Sequence, residues 1–208
     1  MAYSRIILIA LFSSLQTTSL SQTQYDIQVE TDSSEILKDN QWLSIVLRFK
    51  NNTENNLLLY GIGSHLVKNF VVEERACDLT KVGAGLALMV FDSTDKRKYP
   101  VLQFHDSTHP APETQEQLDA MLERGRVEFL EGTRIARSKG QVSISWSIDL
   151  FDYHLEKGTY YLKLVYFSGQ GVWTNRIGET QIKQDMEVNK AKLFQGCLTS
   201  MPIIFTVK

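Results

Sequence analysis

The side chains best able to do chemistry in this chain are its histidines, and two stand close together. His105-Asp106-Ser107-Thr108-His109 offers two imidazoles and a carboxylate within five residues. Zinc takes such donors, and two residues four apart share a face when the segment is helical. Ser107, Thr108 and the following Pro110 argue for a loop instead. The sequence marks no third and fourth ligand, so a polar surface loop is the plainer reading and no metal is expected. Nucleophilic catalysis has no better support. No Gly-x-Ser-x-Gly elbow occurs, and neither cysteine has a catalytic context. Gly83-x-Gly85 begins like a dinucleotide loop, but position 88 is Leu and strand-like residues follow, so it fails as a phosphate cradle. Glu73-Glu74-Arg75 reads as a solvated charged run. The chain is therefore expected to be non-enzymatic and to carry no cofactor.

Binding chemistry is better represented. Nearly thirty residues, Ser168 to Gln195, separate two strand-like segments, and connections of that length in compact domains are functional or disordered. The stretch opens Gly169-Gln170-Gly171-Val172-Trp173-Thr174-Asn175-Arg176. Trp173 brings large apolar area with few rotamers to freeze, and Arg176 brings a forked donor, so the pair suits a binding hot spot. The competing reading folds Trp173 back on the core beside Met186, Val188 and Phe194. Asn51-Asn52-Thr53 fits the N-x-T glycosylation pattern in an expected turn, which matters only in a host that glycosylates.

The N-terminus supplies the compartment. Arg5 precedes an apolar run from Ile6 to Phe12, then Thr17, Thr18, Ser19 and Ser21 follow. This is the order of a secretory signal peptide, residues 1–21, with a cut before Gln22. The run is shorter than the roughly 20 apolar residues a spanning helix needs. Residues 22–208 then form the mature chain, secreted or periplasmic, with no membrane span. Of 22 Lys plus Arg against 24 Asp plus Glu, the cut removes one Arg, leaving 21 against 24 and a net charge of −3. Mild acidity of that size gives no electrostatic reason to bind nucleic acid. The two cysteines, Cys77 and Cys197, are a candidate disulfide in an oxidising compartment, with two buried free thiols as the alternative.

The elements that must position these groups are strands. Leu43, Ile45, Leu47 and Phe49 alternate with polar residues, and so do Val142, Ile144, Trp146, Ile148 and Leu150. Tyr160, Leu162, Leu164 and Tyr166 form one face of a third run, and Ile203, Phe205 and Val207 of a last one. Such alternation marks antiparallel sheets with one face buried. Tyr25 to Glu30 reads as a shorter first strand. Leu86 to Phe91 is apolar on both faces and suits a central strand. Asparagines at 51, 52, 55 and 56 mark one turn, and Gly132 and Gly140 flank another break. One short helical insertion is expected. Thr114 with Gln117 forms a capping box, Leu118, Met121 and Leu122 share a face, and Gly125 is placed to end it.

Leu155-Glu156-Lys157-Gly158-Thr159-Tyr160 joins two of these strands and reads L-x-x-G-x-Y. It resembles the tyrosine corner of immunoglobulin-like sandwiches, in which a Tyr hydroxyl bonds backbone upstream. Lys139-Gly140, Ile148-Asp149-Leu150, Tyr153 and the corner follow the order seen in exported bacterial domains of that type. Phe194-Gln195-Gly196 and Leu198 to Val207 are similar to their last strand, with Met201 in place of the usual Asn. The resemblance covers about the last 70 residues. It implies an all-β, immunoglobulin-like antiparallel β-sandwich, in which Leu155, Gly158 and Tyr160 are structural. Such domains serve as adhesion, inhibitor-like and accessory modules, and the fold does not choose among them. The expected function is an exported binding or accessory module whose partner is another protein or a surface glycan. The alternative is an inhibitor-like protein acting on an exported protease.

Overall fold

The computed structural model describes residues 24–64, 66–67, 83–93, 114–169 and 177–208. Twelve strands and two helices lie among them. In chain order they are β1 (Tyr25–Thr31), β2 (Glu35–Ile36), β3 (Trp42–Asn51), β4 (Asn56–Leu59), β5 (Leu66–Val67), β6 (Ala84–Asp92), α1 (Gln115–Glu131), β7 (Arg134–Ala136), β8 (Gln141–Asp149), β9 (Gly158–Ser168), α2 (Glu179–Val188), β10 (Ala191–Leu193), β11 (Gly196–Thr199) and β12 (Ile203–Val207). The fold is all-β in character, with two short helices.

The strands make three sheets. β1, β3 and β8 form one, antiparallel throughout, with β3 central. A larger sheet runs β2-β12-β9-β6-β5, with β11 also on β9. A small sheet holds β10, β4 and β7. The pairing is mixed rather than uniformly antiparallel: β10 with β4, β12 with β2 and β5 with β6 are parallel. Alternation explains the layering. The inward residues of β3, namely Leu43, Ile45, Leu47 and Phe49, join Leu86, Leu88 and Val90 of β6 and Leu162, Leu164 and Tyr166 of β9 in one core. Hence the three-stranded and the larger sheet face each other across shared apolar packing, each inward side chain removed from water.

β6 reads apolar on both faces because both are buried. Ala87, Met89 and Phe91 look away from that core and pack with Val165 and Phe167 of β9 in a second cluster. β4 alternates between clusters too. Leu57 and Leu59 enter the main core, whereas Leu58 and Tyr60 join Phe129, Ile177 and Ile182 under the helices.

Helix α1 starts where expected but does not stop at Gly125. Thr114 Oγ1 accepts from the Gln117 amide and Gln117 Oε1 accepts from the Thr114 amide, both at 3.2 Å. The helix continues to Glu131, with Gly132 at its C-cap in right-handed helical geometry. Packing overrides the glycine signal, because Phe129 must reach the Tyr60 ring, on which it stacks at 6.0 Å. The apolar face expected from Leu118, Met121 and Leu122 is not what anchors the helix: Met121 and Leu122 are largely exposed and Phe129 is buried.

A second correction concerns the segment after Ser168. Its described part is not a bare loop, since it holds α2 and β10. Ile182 of α2 is buried, and the buried Tyr60 hydroxyl donates to Asp185 Oδ2 at 2.6 Å. The Tyr166 hydroxyl in turn donates to the Tyr60 carbonyl at 3.0 Å. Burial first, and then the Asp185 carboxylate, push the Tyr60 hydroxyl pKa well above its usual value. Burial does the same to Tyr166.

Candidate functional site

Two connections meet at one end of the facing sheets. Leu37 to Gln41 turn between β2 and β3, closed by the Asn40 amide on the Leu37 carbonyl at 3.0 Å. Leu150 to Lys157 carry the chain from β8 in one sheet to β9 in the other. That second connection opens with one 3-10 turn, Phe151–Tyr153, which ends on His154 in left-handed geometry at φ 45°. Left-handed backbone at a non-glycine residue is held by its surroundings. Here the His154 amide bonds the Phe151 carbonyl at 2.9 Å, while Tyr153 and Leu155 on either side are buried in the core. His154 is thereby turned outward.

The L-x-x-G-x-Y residues hold this crossing. The Tyr160 ring is buried against Phe205, and its hydroxyl donates to the Glu156 carbonyl at 2.9 Å. Leu155 is 1% exposed and sits in the main core. Gly158 begins β9, and a Cβ there would meet Tyr160 at ordinary contact distance, so space alone does not require glycine.

Gln41 ties the two connections together. Its position continues the inward register of β3, two residues before Leu43, so its side chain points into the molecule. It is 4% exposed. The Nε2 group donates to the Lys38 carbonyl at 3.0 Å and to the Leu155 carbonyl at 3.3 Å. Both partners are acceptors, which fixes the amide orientation. The Leu150 amide donates to the Gln41 main-chain carbonyl at 2.8 Å. What remains is Gln41 Oε1, buried and without a hydrogen-bond partner. Buried polar atoms are nearly always paired, and an unpaired one costs about 1–3 kcal/mol.

Gln41 lines a pocket of about 270 Å³, shared with Lys38, Asp39, Phe151, His154, Leu155 and Glu156. Phe151 is 58% exposed, and its ring lies 5.8 Å from the His154 ring. Lys38 Nζ pairs with Glu156 Oε2 at 2.5 Å across the rim. This pairing, through the hydrogen bond and then the charge, holds the Lys38 ammonium pKa above its ordinary value. Asp39 makes no side-chain hydrogen bond or ion pair among the described residues. The pocket is thus a small recess lined by the Gln41 amide, an exposed aromatic ring and, around one ammonium, two carboxylates.

No protein-family model matches the chain, and no curated protein matches it. The site must be read from its own residues. Trp173 and Arg176, the binding pair expected from sequence, lie outside the described residues, as do Cys77 and the His105 to His109 run. Cys197 is half-buried on β11, opposite Phe167 of β9, and no free cysteine occurs among the described residues. Among those residues no cluster of His, Cys, Asp or Glu is arranged to hold a metal. Gly83 and Gly85 lead into and lie within β6, where the Gly83 carbonyl accepts from the Gly169 amide, so they serve a strand.

The N-x-T pattern at Asn51 has a structural role. Asn51 is fully buried, and its Nδ2 donates to the carbonyls of Asn55, Ala136 and Arg137 at 2.7, 3.1 and 2.9 Å. Its Oδ1 accepts from the Thr53 amide and hydroxyl. No face of that amide is open to a glycan in the folded chain.

Sequence reasoning passed over Lys38, Asp39, Gln41, Phe151 and His154. One cue was present, a glutamine in the inward register of a strand that is otherwise apolar on that face.

Proposed function

We propose that this chain is an exported, non-enzymatic binding module on an immunoglobulin-like sandwich, and that it takes its ligand at the corner pocket. One observation carries this: Gln41 lines a recess, and its buried Oε1 lacks a donor within the protein. The connections that wall the recess are tied in place. Gln41 bridges both connections, and Tyr160 pins the second. A rigid pocket with a poised polar group loses little entropy when a partner supplies the missing donor.

The immunoglobulin-like assignment is supported by two facing sheets with one core and by the Tyr160 hydroxyl reaching the backbone four residues upstream at the crossing between them. Export is supported by the charge, apolar run and small residues of positions 1–21. In that setting a Cys77–Cys197 bridge would close a loop of more than a hundred residues and stabilise the fold by roughly 4–5 kcal/mol.

The decisive experiment is a fragment titration followed by amide spectra of isotope-labelled mature protein. Fragments that bind should shift Gln41 and His154. Gln41→Met, close in volume but without the acceptor and without the two donors that bridge the connections, should lose the His154 shift while the rest of the spectrum stays folded. If no fragment of any charge class perturbs Gln41 or His154, the pocket is not a ligand site. Export is checked by sequencing the mature N-terminus, expected near Gln22. The bridge is checked by thiol titration of unfolded, unreduced protein, where two titratable thiols would rule it out.

A further inference from the structure

Resting on that reading, we infer that the pocket takes a cationic donor group, an alkylammonium or guanidinium of the size a lysine or arginine side chain presents. Three features of the recess point the same way. First, its orphan is an acceptor. Gln41 spends its donors on the Lys38 and Leu155 carbonyls, so Oε1 is left to accept from an N–H or O–H outside the protein. Second, its charge is negative. Lys38 pairs with Glu156 at 2.5 Å and also feels the Asp39 charge, so one ammonium among the lining side chains faces two carboxylates. A carboxylate beside an unfilled acceptor favours a donor that is also a cation, because a charged donor strengthens the bond and meets Asp39 at once. Third, Phe151 lines the pocket beside His154 and is 58% exposed, so its ring face is available to a cation within cation–π range.

Size narrows the ligand further. About 270 Å³ lies just below the span of drug-sized sites, so the recess admits one side-chain-sized group rather than an extended molecule. A sugar hydroxyl also donates, but it gains nothing from Asp39. Charge dependence therefore separates the two chemistries.

The test uses the mature full-length protein with n-butylammonium and ethylguanidinium as cations, and n-butanol and methyl glucoside as neutral donors. Binding is read from the Gln41 side-chain amide and the His154 signals. The cations should bind more tightly than n-butanol. Asp39→Asn, at an exposed position that leaves the fold intact, should weaken the cations about threefold at low salt and leave the neutral donors unchanged. Raised ionic strength should act in the same direction. Gln41→Met, read from the His154 signals alone, should weaken the cations at least about tenfold. Nα-acetyl-arginine methylamide binding more tightly than ethylguanidinium would place the cation on a polypeptide, and affinity no tighter would make a free small cation the source; either result supports a cation site. Neutral donors that bind as well as the cations, with Asp39→Asn silent, would overturn the charge inference and leave the binding-module reading standing. Silence from every probe would remove both.

Discussion

The Tyr60 hydroxyl donates to Asp185 Oδ2 at 2.6 Å, joining a turn at the end of β4 to helix α2 across 125 residues of chain. Gln181 donates to the other oxygen of the same carboxylate at 2.8 Å. α2 has no side-chain N-cap and buries one residue, so this bond is a main tether of the helix. Tyr60→Phe keeps the ring stack on Phe129 and removes the donor. It should lower stability by about 2 kcal/mol, as for a bond to a charged partner. An unchanged denaturation midpoint would mean that α2 is held by packing alone.

Alkali should act through the same residue. Tyr60 and Tyr166 are held protonated above their ordinary pKa of 10.0 by burial. Below about pH 10 folded and unfolded chains both keep these protons, and the contribution to stability is fully present. Above it the unfolded chain releases them while the native chain cannot, so stability falls as pH rises. Urea unfolding at about pH 8 and about pH 11 should show this loss. The loss should be smaller in Tyr60→Phe than in the parent.

Tyr160→Phe should cost on the order of 1 kcal/mol, because the Glu156 carbonyl loses its donor in a part-buried site while the ring keeps its contact with Phe205. A neutral thermal melt would show that water replaces the hydroxyl freely.

Two glycines should respond with opposite signs. Gly61 has φ +65°, and a Cβ there would come within 2.6 Å of Phe129 Cε2 and 3.0 Å of the Ala84 carbonyl. Gly61→Ala should cost roughly 2 kcal/mol or more. Gly125 lies inside α1, and a Cβ there would have nothing within 4 Å. Gly125→Ala should stabilise by about 1 kcal/mol. Both are read from shifts in melting temperature of the single variants.

Asn51 should remain unmodified in a glycosylating host, as intact-mass measurement of the folded, secreted chain would show. Asn51→Ala should cost about 3 kcal/mol, because several carbonyls lose one shared donor. A glycan found there would mean the site is modified before β3 closes on it.

Period-two patterning made most of the strands legible, since one buried face forces alternation. It also held the candidate site in an unread form. Positions 41, 43, 45, 47, 49 and 51 share one parity, and the polar residues at its two ends, Gln41 and Asn51, are buried as that parity requires. Their alternation shows that they point inward, but their partners come from residues up to 114 positions away, which local pattern does not encode. The left-handed turn of His154 is equally silent in sequence, because its neighbours' packing imposes it. The end of α1 was misread since Gly125 is a local stop signal, while Phe129 is drawn by Tyr60, far off in the chain. α2 lacked a legible start because Gly178 stands where a capping side chain would.

β9 pairs along one edge with β6 and along the other with β11 and β12 in succession, the two joined where the Ser200 hydroxyl accepts from the Leu164 amide and the Ser200 amide donates back to Leu164. One neighbour precedes it and two follow, so folding order is constrained. When β9 leaves the ribosome, β6 can already zip onto it, but its second edge stays open until residues 196–207 emerge. For that interval an apolar strand presents unpaired amides and carbonyls, the surface that recruits foreign strands. Chains stalled or cleaved before β11 should therefore aggregate rather than remain as partly folded monomers, and export ahead of folding would postpone that hazard to the far side of the membrane.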